Sequence, residues 1–508
     1  MPSVWTRRHD PFEPSAYPEP TRSLIEAKLR PVAQIVAELP RRFSLFSTFA
    51  ASAARGFLHA LGERDDWEHI DWYCALTVEP YRALSHPAVR IFSAYASPLD
   101  RLLAERMGKT VAHVPRQFIQ FCDYLADPGR IEVITHTCTP PDADGYVNLG
   151  LNVETVWETL TTLSQRAGTR VIFEINPHTP WIEGDAAYNH NRMHLSMAHA
   201  VYVNERPLPQ LPALQPSEVE RRIAEHVVRY VDDGDTVQLG IGGVPNYVAE
   251  HLKSRRCLKI HSEMITEAMV DLVNAGAVDC HGKPYHDGYI VGAFAAGSDK
   301  LYDWLDHNPL VRLLPIRAVN DPALIGTLPR MKSINSALAI DLHGQACSDA
   351  VGFKQVSGIG GQLEFVMGAL RSPGGRSVLC IKSTRKVGRR LRSNIGLTLP
   401  RGTPVAVPRH FADVVVTEWG AAELRHLSAP ERARALIGIA HPDFRDELVR
   451  QAKQARLWDF RPGFAKPTQR LMWEHLPTII ELQKAYRKGE LWAESKRRFA
   501  GWWKELGR

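Results

Sequence analysis

The chain is poor in cysteine, and its seven thiols follow no pattern: positions 74, 122, 138, 257, 280, 347 and 380 of 508, with no Cys-x-x-Cys pair. An odd, dispersed set argues against a disulfide framework and against structural zinc, and suits a reducing compartment. Long apolar runs are missing too. None reaches the ~18 residues that a membrane-spanning helix needs. Residues 1–20 carry proline, arginine and aspartate without the apolar core of a secretory signal. Neither sign of charge dominates, since 62 Lys+Arg against 56 Asp+Glu leave only +6, interleaved along the chain. With no basic-aromatic module, nucleic acid is a poor partner, and an anionic small molecule suits locally placed Arg and Lys better. With 44% hydrophobic and 23% charged residues, the chain is expected to be a soluble, cytoplasmic, metal-free globular protein.

At this length two or three domains are expected. Residues 1–20 read as an irregular arm, 21–206 as one α/β unit, the proline-rich 207–216 as a linker, 217–460 as a second α/β unit, and 461–508 as a basic, tryptophan-bearing helical tail. In the first unit, helices are expected at 21–39, 47–61, 98–107 and 152–166, with strands at 72–78, 89–92, 131–136 and 170–175. In the second, Ser217-Glu218-Val219-Glu220 fits a capping box that opens a helix. Helices are also expected at 267–275, closed by Gly276, and at 430–455, with strands at 236–239, 258–260, 333–342, 377–381, 404–407 and 413–417. Alternation of this kind means parallel sheets with right-handed crossovers. A faint internal echo, strand then turn then glycine, joins Val133…Asp144-Gly145 to Ala337…His343-Gly344. Duplication and chance both account for it. The tail reads either as a membrane-surface or partner helix or, more simply, as a terminal helix packing its tryptophans on the body.

Chemistry concentrates between Gly240 and Glu263. The run Gly240-Ile241-Gly242-Gly243-Val244-Pro245 leaves a strand and enters a helix, where bare N–H groups suit an anion or an oxyanion. The next strand delivers His261-Ser262-Glu263 to the same sheet edge, and Glu263 is the candidate nucleophile. Each signal is weak alone. The glycines lack the third member of the dinucleotide fingerprint, which keeps an NAD-dependent oxidoreductase as a rival, and a lone Glu after a strand is usually a surface or capping residue. A second glycine turn, Ser357-Gly358-Ile359-Gly360-Gly361, followed by the basic Lys382-Ser383-Thr384-Arg385-Lys386, makes a two-sided site conceivable.

In these stretches the chain resembles the acetyl-CoA hydrolase/transferase family of class I CoA-transferases, which includes acetate, butyrate and 4-hydroxybutyrate CoA-transferases. The resemblance rests on GIGGVPNYVAEHL at 240–252, HSEM at 261–264, VNDP at 319–322, SGIGGQLEF at 357–365, TEWGAAEL at 417–424 and ERARALIGIAHPDFRDEL at 431–448. In the first half it is fainter, at TPPDADGYVNLG (139–150) and EINPHTPWIEGD (174–185). It implies two tandem open α/β domains of the CoA-transferase type with the active site between them, and Glu263 as the residue that becomes acylated. It further implies that Gly240, Ile241, Gly242, Gly243, Val244, Gly360 and Gly361 serve the oxyanions and coenzyme A, and that Lys386 contacts coenzyme A. Coenzyme A is then substrate and product, with no permanently bound cofactor; the partners are acyl-CoA and carboxylate, and the chain is a homodimer. Hydrolysis by the same glutamate, or CoA binding without catalysis, remain alternatives. Trp419 and Glu364 depart from the family's usual Tyr and Asp, as does the loop 404–409.

Overall fold

The computed structural model describes residues 4, 6–109, 111–166, 168–211, 215–240 and 242–458. Residues 1–452 form one compact unit; of the second, 453–508, only 453–458 are described, so the basic tail expected at 461–508 lies outside the described residues.

Two parallel sheets organise the large unit. The first contains β1 (Arg42–Ser47), β2 (His69–Cys74), β3 (Val89–Ser93), β4 (Val111–His113), β5 (Val133–Cys138), β6 (Arg170–Ile175) and β7 (Ala200–Val203), in the order β4-β3-β2-β1-β5-β6-β7. All its neighbours are parallel. The second contains β8 (Thr236–Leu239), β9 (Lys259–Ile260), β10 (Met331–Ser336), β11 (Arg376–Cys380), β12 (Val414–Thr417) and β13 (Gly420–Glu423), in the order β9-β8-β10-β11-β12-β13. Only the β12–β13 pair is antiparallel. Every residue of β5, β8 and β12 is buried, as strands covered on both faces must be.

Several elements depart from expectation for identifiable reasons. Pro31 cannot donate a backbone hydrogen bond, so the expected 21–39 helix divides into Thr21–Lys28 and Val32–Ala37. Helix propensity over the alanine-rich 47–61 obscures where β1 ends. That stretch is a short 3-10 turn, Ala50–Ser52, before the helix Arg55–Leu61. Residues 404–407 form no strand, only a bridge from Val407 to Ala346, consistent with prolines at 404 and 408 that lack N–H groups. Pro442 divides 430–455 into Ala429–Gly438 and Pro442–Gln454. The Ser217 capping box forms as the sequence requires.

The two sheets share one plan. The order β2-β1-β5-β6-β7 repeats as β9-β8-β10-β11-β12. The turns after β5 and β10 also match bond for bond. Asp142 Oδ1 accepts from the N–H groups of Asp144 and Tyr146, and Asp341 Oδ1 from those of His343 and Gln345. Gly145 and Gly344 adopt φ of +86° and +93° in the two copies. The echo in the sequence is therefore one supersecondary unit used twice. Each copy reverses direction beside its first strand, between β1 and β5 and between β8 and β10. Such switch points, at carboxyl strand ends, are where open α/β sheets leave a crevice.

Candidate active site

Glu263 sits in the short bend after β9, and its backbone is fastened from both sides. Ser262 donates its N–H to Val291 O (3.0 Å) and its hydroxyl to Leu239 O (3.2 Å). The Glu263 carbonyl accepts from the N–H groups of Ala293 (2.9 Å) and Phe294 (3.2 Å). His261, just before, is fully buried, and burial pushes its pKa down to about 3. The neutral ring lies with Nε2 2.8 Å from Val319 O, so Nε2 carries the proton and donates. This anchoring leaves the Glu263 side chain as the part free to face a ligand.

The carboxylate is held by donors from two other segments. Asn320 Nδ2 donates to Glu263 Oε2 at 2.7 Å, and the Gly361 N–H donates to the same carboxylate. A Cβ at Gly361 would take the space of Glu263 Oε2 and Asn320 Nδ2, so glycine there lets both keep these positions. Gly360 takes φ of +56°, which turns the chain so that the Gly361 N–H faces the acid. Burial raises the Glu263 pKa from 4.5 to about 7, while Asn320 and Gly361 pull it back by stabilising the charged form. Two more buried carboxyls surround it. Glu364 accepts from Ile119 N–H (3.0 Å) and faces Asn320 Nδ2 (3.5 Å). Burial, then the charge of Glu263, raise it to about 8. Glu154 is also raised to about 8, by burial first and by Glu263 to a lesser degree. Burial thus raises all three carboxyls, and only Glu263 has both the Asn320 amide and the Gly361 N–H favouring its charged form.

Glu263 opens into a cavity of about 670 Å³ at the carboxyl edges of both sheets. Loops after β1, β2 and β3 supply Phe49-Ala50, Ala75–Glu79 and Ala94-Tyr95; the second half supplies Gln238–Gly240, Asn335-Ser336 and Ser357–Gln362. The halves are bound together at this point. Gly358 packs so tightly on the Ala94 carbonyl that no Cβ would fit, Phe118 N–H reaches Gly360 O at 3.4 Å, and Arg101 donates to Val356 O. The second half lines the cavity with polar side chains beside apolar Leu239, Met264 and Phe294: Gln238 exchanges hydrogen bonds with Asn335 (3.0 and 3.2 Å), and buried Gln362 Oε1 has no partner. The first-half wall is aromatic and aliphatic. Two of its residues, Ala50 (φ 44°) and Leu76 (φ 45°), are non-glycines in the left-handed region. Such strain, of order 1–3 kcal/mol each, persists where surrounding structure over-determines a site's shape.

The residues singled out from the sequence divide accordingly. Gly240, Glu263, Gly360 and Gly361 line the cavity. Gly242 caps the helix Gly243–Leu252 with φ of 126°, Gly243 packs against Glu220, and Val244 is a core residue, so none of these three lines it; Ile241 lies outside the described residues. Lys386 is exposed on a two-stranded hairpin, Thr384–Val387 with Arg390–Ser393, away from the cavity wall. Neither Trp419, stacked edge-on to His441 (5.4 Å), nor the loop 404–409 reaches that wall. Sequence reasoning missed Asn320, Glu154 and Tyr95. Asn320 lies within the Val319-Asn320-Asp321-Pro322 match, a visible signal left unassigned; nothing marked Glu154 or Tyr95. Among the described residues no group of three or more His, Cys, Asp or Glu side chains could hold a metal, and no helix is long and apolar enough to cross a membrane.

Comparisons with known proteins agree with this geometry. Residues 103–232 match the model of the acetyl-CoA hydrolase/transferase N-terminal domain, and 297–452 that of the C-terminal domain. A 4-hydroxybutyrate coenzyme A transferase of Clostridium kluyveri is 37% identical over 64% of this chain and 73% of its own. A probable butyrate:acetyl-CoA coenzyme A-transferase of Syntrophomonas wolfei is 32% identical over 81% and 91%. The crystal structure of RipA from Yersinia pestis superposes with a TM-score of 0.77 at 31% identity, covering 86% of this chain and 99% of that one. The duplicated parallel sheets, the cavity at their shared edge and these matches lead to one conclusion: the chain belongs to the acetyl-CoA hydrolase/transferase family.

Proposed function

We propose that the protein transfers coenzyme A between an acyl-CoA and a carboxylic acid through covalent intermediates on Glu263. A Glu263 carboxylate oxygen attacks the thioester carbonyl, the C–S bond breaks, and CoA thiolate leaves with the negative charge, giving a mixed anhydride. The thiolate then attacks the glutamyl carbonyl and the acyl carboxylate departs, leaving a glutamyl–CoA thioester. A second carboxylate reverses both steps and regenerates Glu263. One negative charge passes from Glu263 to sulfur to the departing acid, so no proton needs to move. That balance needs no general acid or base, and the contacts on Glu263 are hydrogen-bond donors, the Asn320 amide and the Gly361 N–H. The Asn320 amide and the Gly361 N–H stabilise the attacking carboxylate and are within reach of an oxyanion on the glutamyl carbon. The polar wall at Gln238, Asn335 and Gln362 suits the pantetheine amides. The two sheet-centred halves then serve as tandem domains that share one site.

The observation that carries this reading is Glu263 itself: a carboxylate anchored through its backbone, fed by two donors and open to the cavity. Relatives named as CoA-transferases support it. Hydrolysis would instead need a base to activate water at the glutamyl thioester. The test is incubation with acyl-CoA alone, followed by peptide mass analysis. The Glu263 peptide should gain a CoA adduct that hydroxylamine removes, and Glu263→Ala should fold without forming one. Absence of the adduct refutes the mechanism.

A further inference from the structure

We infer that Arg8, in the N-terminal arm, is a positioning residue for ligand binding: through Asp299 and Tyr302 it sets residues 209–211, a stretch of the cavity rim. The identity of the ligand, acyl-CoA, rests on acyl exchange at Glu263. The sequence marks 207–216 as a linker, yet Pro209, Gln210 and Leu211 line the cavity. Gln210 and Leu211 are also exposed, which puts them where the cavity meets solvent. Prolines at 207 and 209 remove two of the N–H groups that a strand ladder would use, so other contacts hold the stretch. Arg55 donates to Pro207 O at 2.6 Å, and Leu211 N–H to Gly297 O at 2.9 Å. Gln210 Nε2 donates to Asp299 Oδ2 at 2.6 Å, and the Tyr302 hydroxyl to Pro209 O at 2.8 Å.

Asp299 and Tyr302 belong to one helix, Asp299–Leu305, and Arg8 touches both. Its guanidinium donates to Asp299 Oδ1, to Asp303 Oδ1 and, at 2.6 Å, to His178 O, and lies 5.6 Å from the centre of the Tyr302 ring. The Arg8 side chain is 2% exposed, so these partners replace its water, whereas that of Asp299 is 45% exposed. One carboxylate thus serves two partners: Oδ1 takes Arg8 and Oδ2 takes Gln210. Without the guanidinium a half-exposed Asp299 is free to turn to solvent, and Gln210 loses the fixed acceptor that holds it on the rim. The backbone of the arm fixes Arg8 in turn. Arg8 N–H donates to Asp306 Oδ2 at 3.1 Å, and His9 N–H to Pro177 O at 2.8 Å. A loosened rim lowers affinity, because the ligand must then order it on binding. Glu263 is held elsewhere, by Asn320 and Gly361, so loss of Arg8 should weaken binding more than turnover.

The test is a double-mutant cycle on the full chain: the parent, Arg8→Ala, Gln210→Ala and the pair. Each is measured for KM and kcat in acyl-CoA exchange, for coenzyme A affinity by calorimetry, and for its melting curve. Arg8→Ala should raise KM and weaken coenzyme A binding at least about fivefold, as for one lost hydrogen bond to a charged group, with kcat moving less. Gln210→Ala should do the same, and the pair should be no worse than the larger single change, because both act through one carboxylate. Arg8→Lys, which keeps a cation for Asp299, should recover part of the loss. Unchanged KM and affinity in Arg8→Ala, or single effects that multiply in the pair, overturn the positioning role. If Arg8→Ala does not fold, Asp299→Ala takes its place in the cycle under the same expectations. A parent that forms no Glu263 adduct but binds coenzyme A with this coupling refutes exchange at Glu263 and leaves the role of Arg8 standing. A parent that neither forms the adduct nor binds coenzyme A overturns both.

Discussion

Replacing Asn320 by alanine isolates what the structure says about Glu263. The Asn320 side chain is fully buried and places Nδ2 2.7 Å from Glu263 Oε2. A hydrogen bond to a buried charge contributes about 1.5–3 kcal/mol. Because one pKa unit corresponds to about 1.36 kcal/mol, losing it should raise the Glu263 pKa by about one to two units. Glu263 attacks as the carboxylate, so activity should rise as pH increases through about 7 in the parent protein. In Asn320→Ala that acid limb should move to about pH 8–9. A second loss is independent of pH. If the same amide serves an oxyanion, its removal lowers the rate by about 10²–10³-fold even where Glu263 is fully ionised. The assay is exchange of CoA between acyl-CoA and labelled acid, measured from pH 6 to 9.5. A variant whose rate falls but whose acid limb stays where the parent's is would refute the assignment of Asn320 as the group that sets the Glu263 ionisation.

Three further outcomes follow from the same geometry. Gly361→Ala should fold, since its φ of −94° suits any residue, yet lose exchange by at least about 100-fold because the new Cβ occupies the space of Glu263 Oε2; near-normal exchange would contradict the placement of that carboxylate. Glu154 has a folded-state pKa of about 8 against an ordinary 4.5, so the folded state binds its proton more tightly and loses stability as pH rises across that window. Glu154→Gln removes this loss, and its melting temperature relative to the parent should rise between pH 5 and pH 9; a constant difference would rule out a buried, protonated Glu154. For Lys386 the family resemblance, rather than the cavity, motivates the test: Lys386→Ala should raise KM for acyl-CoA by about fivefold or less, as expected of an exposed ion pair, with the effect fading at high salt. An unchanged KM at low salt would remove Lys386 from the CoA site.

How much was legible in the sequence depended on the range of the forces involved. The capping box at Ser217, β6 and β8 were readable because propensity, capping and turn chemistry act over a few residues, and packing then agreed with them. β1 was not, because its burial pattern is imposed by the neighbours β2 and β5 rather than by its own composition. The same holds for the site. Glu263 and the second glycine turn were marked by local pattern and family resemblance. Asn320 stood inside a matched motif, but its task is set by a 2.7 Å contact across 57 positions of chain.

The sequence by itself determined the class of the fold and marked the central carboxylate, while its echo of strand, turn and glycine stayed open between duplication and chance. Each of these is written in periodicity, backbone requirements or a run of residues. Only the tertiary structure decided that the glycine turn at Gly361 and an amide from residue 320 hold that carboxylate, that two other buried acids share its surroundings, and that apolar residues from the first half line the space it faces. Those are contacts between segments distant in the chain. Their energies depend on burial and on distances of a few ångströms, which no local pattern encodes.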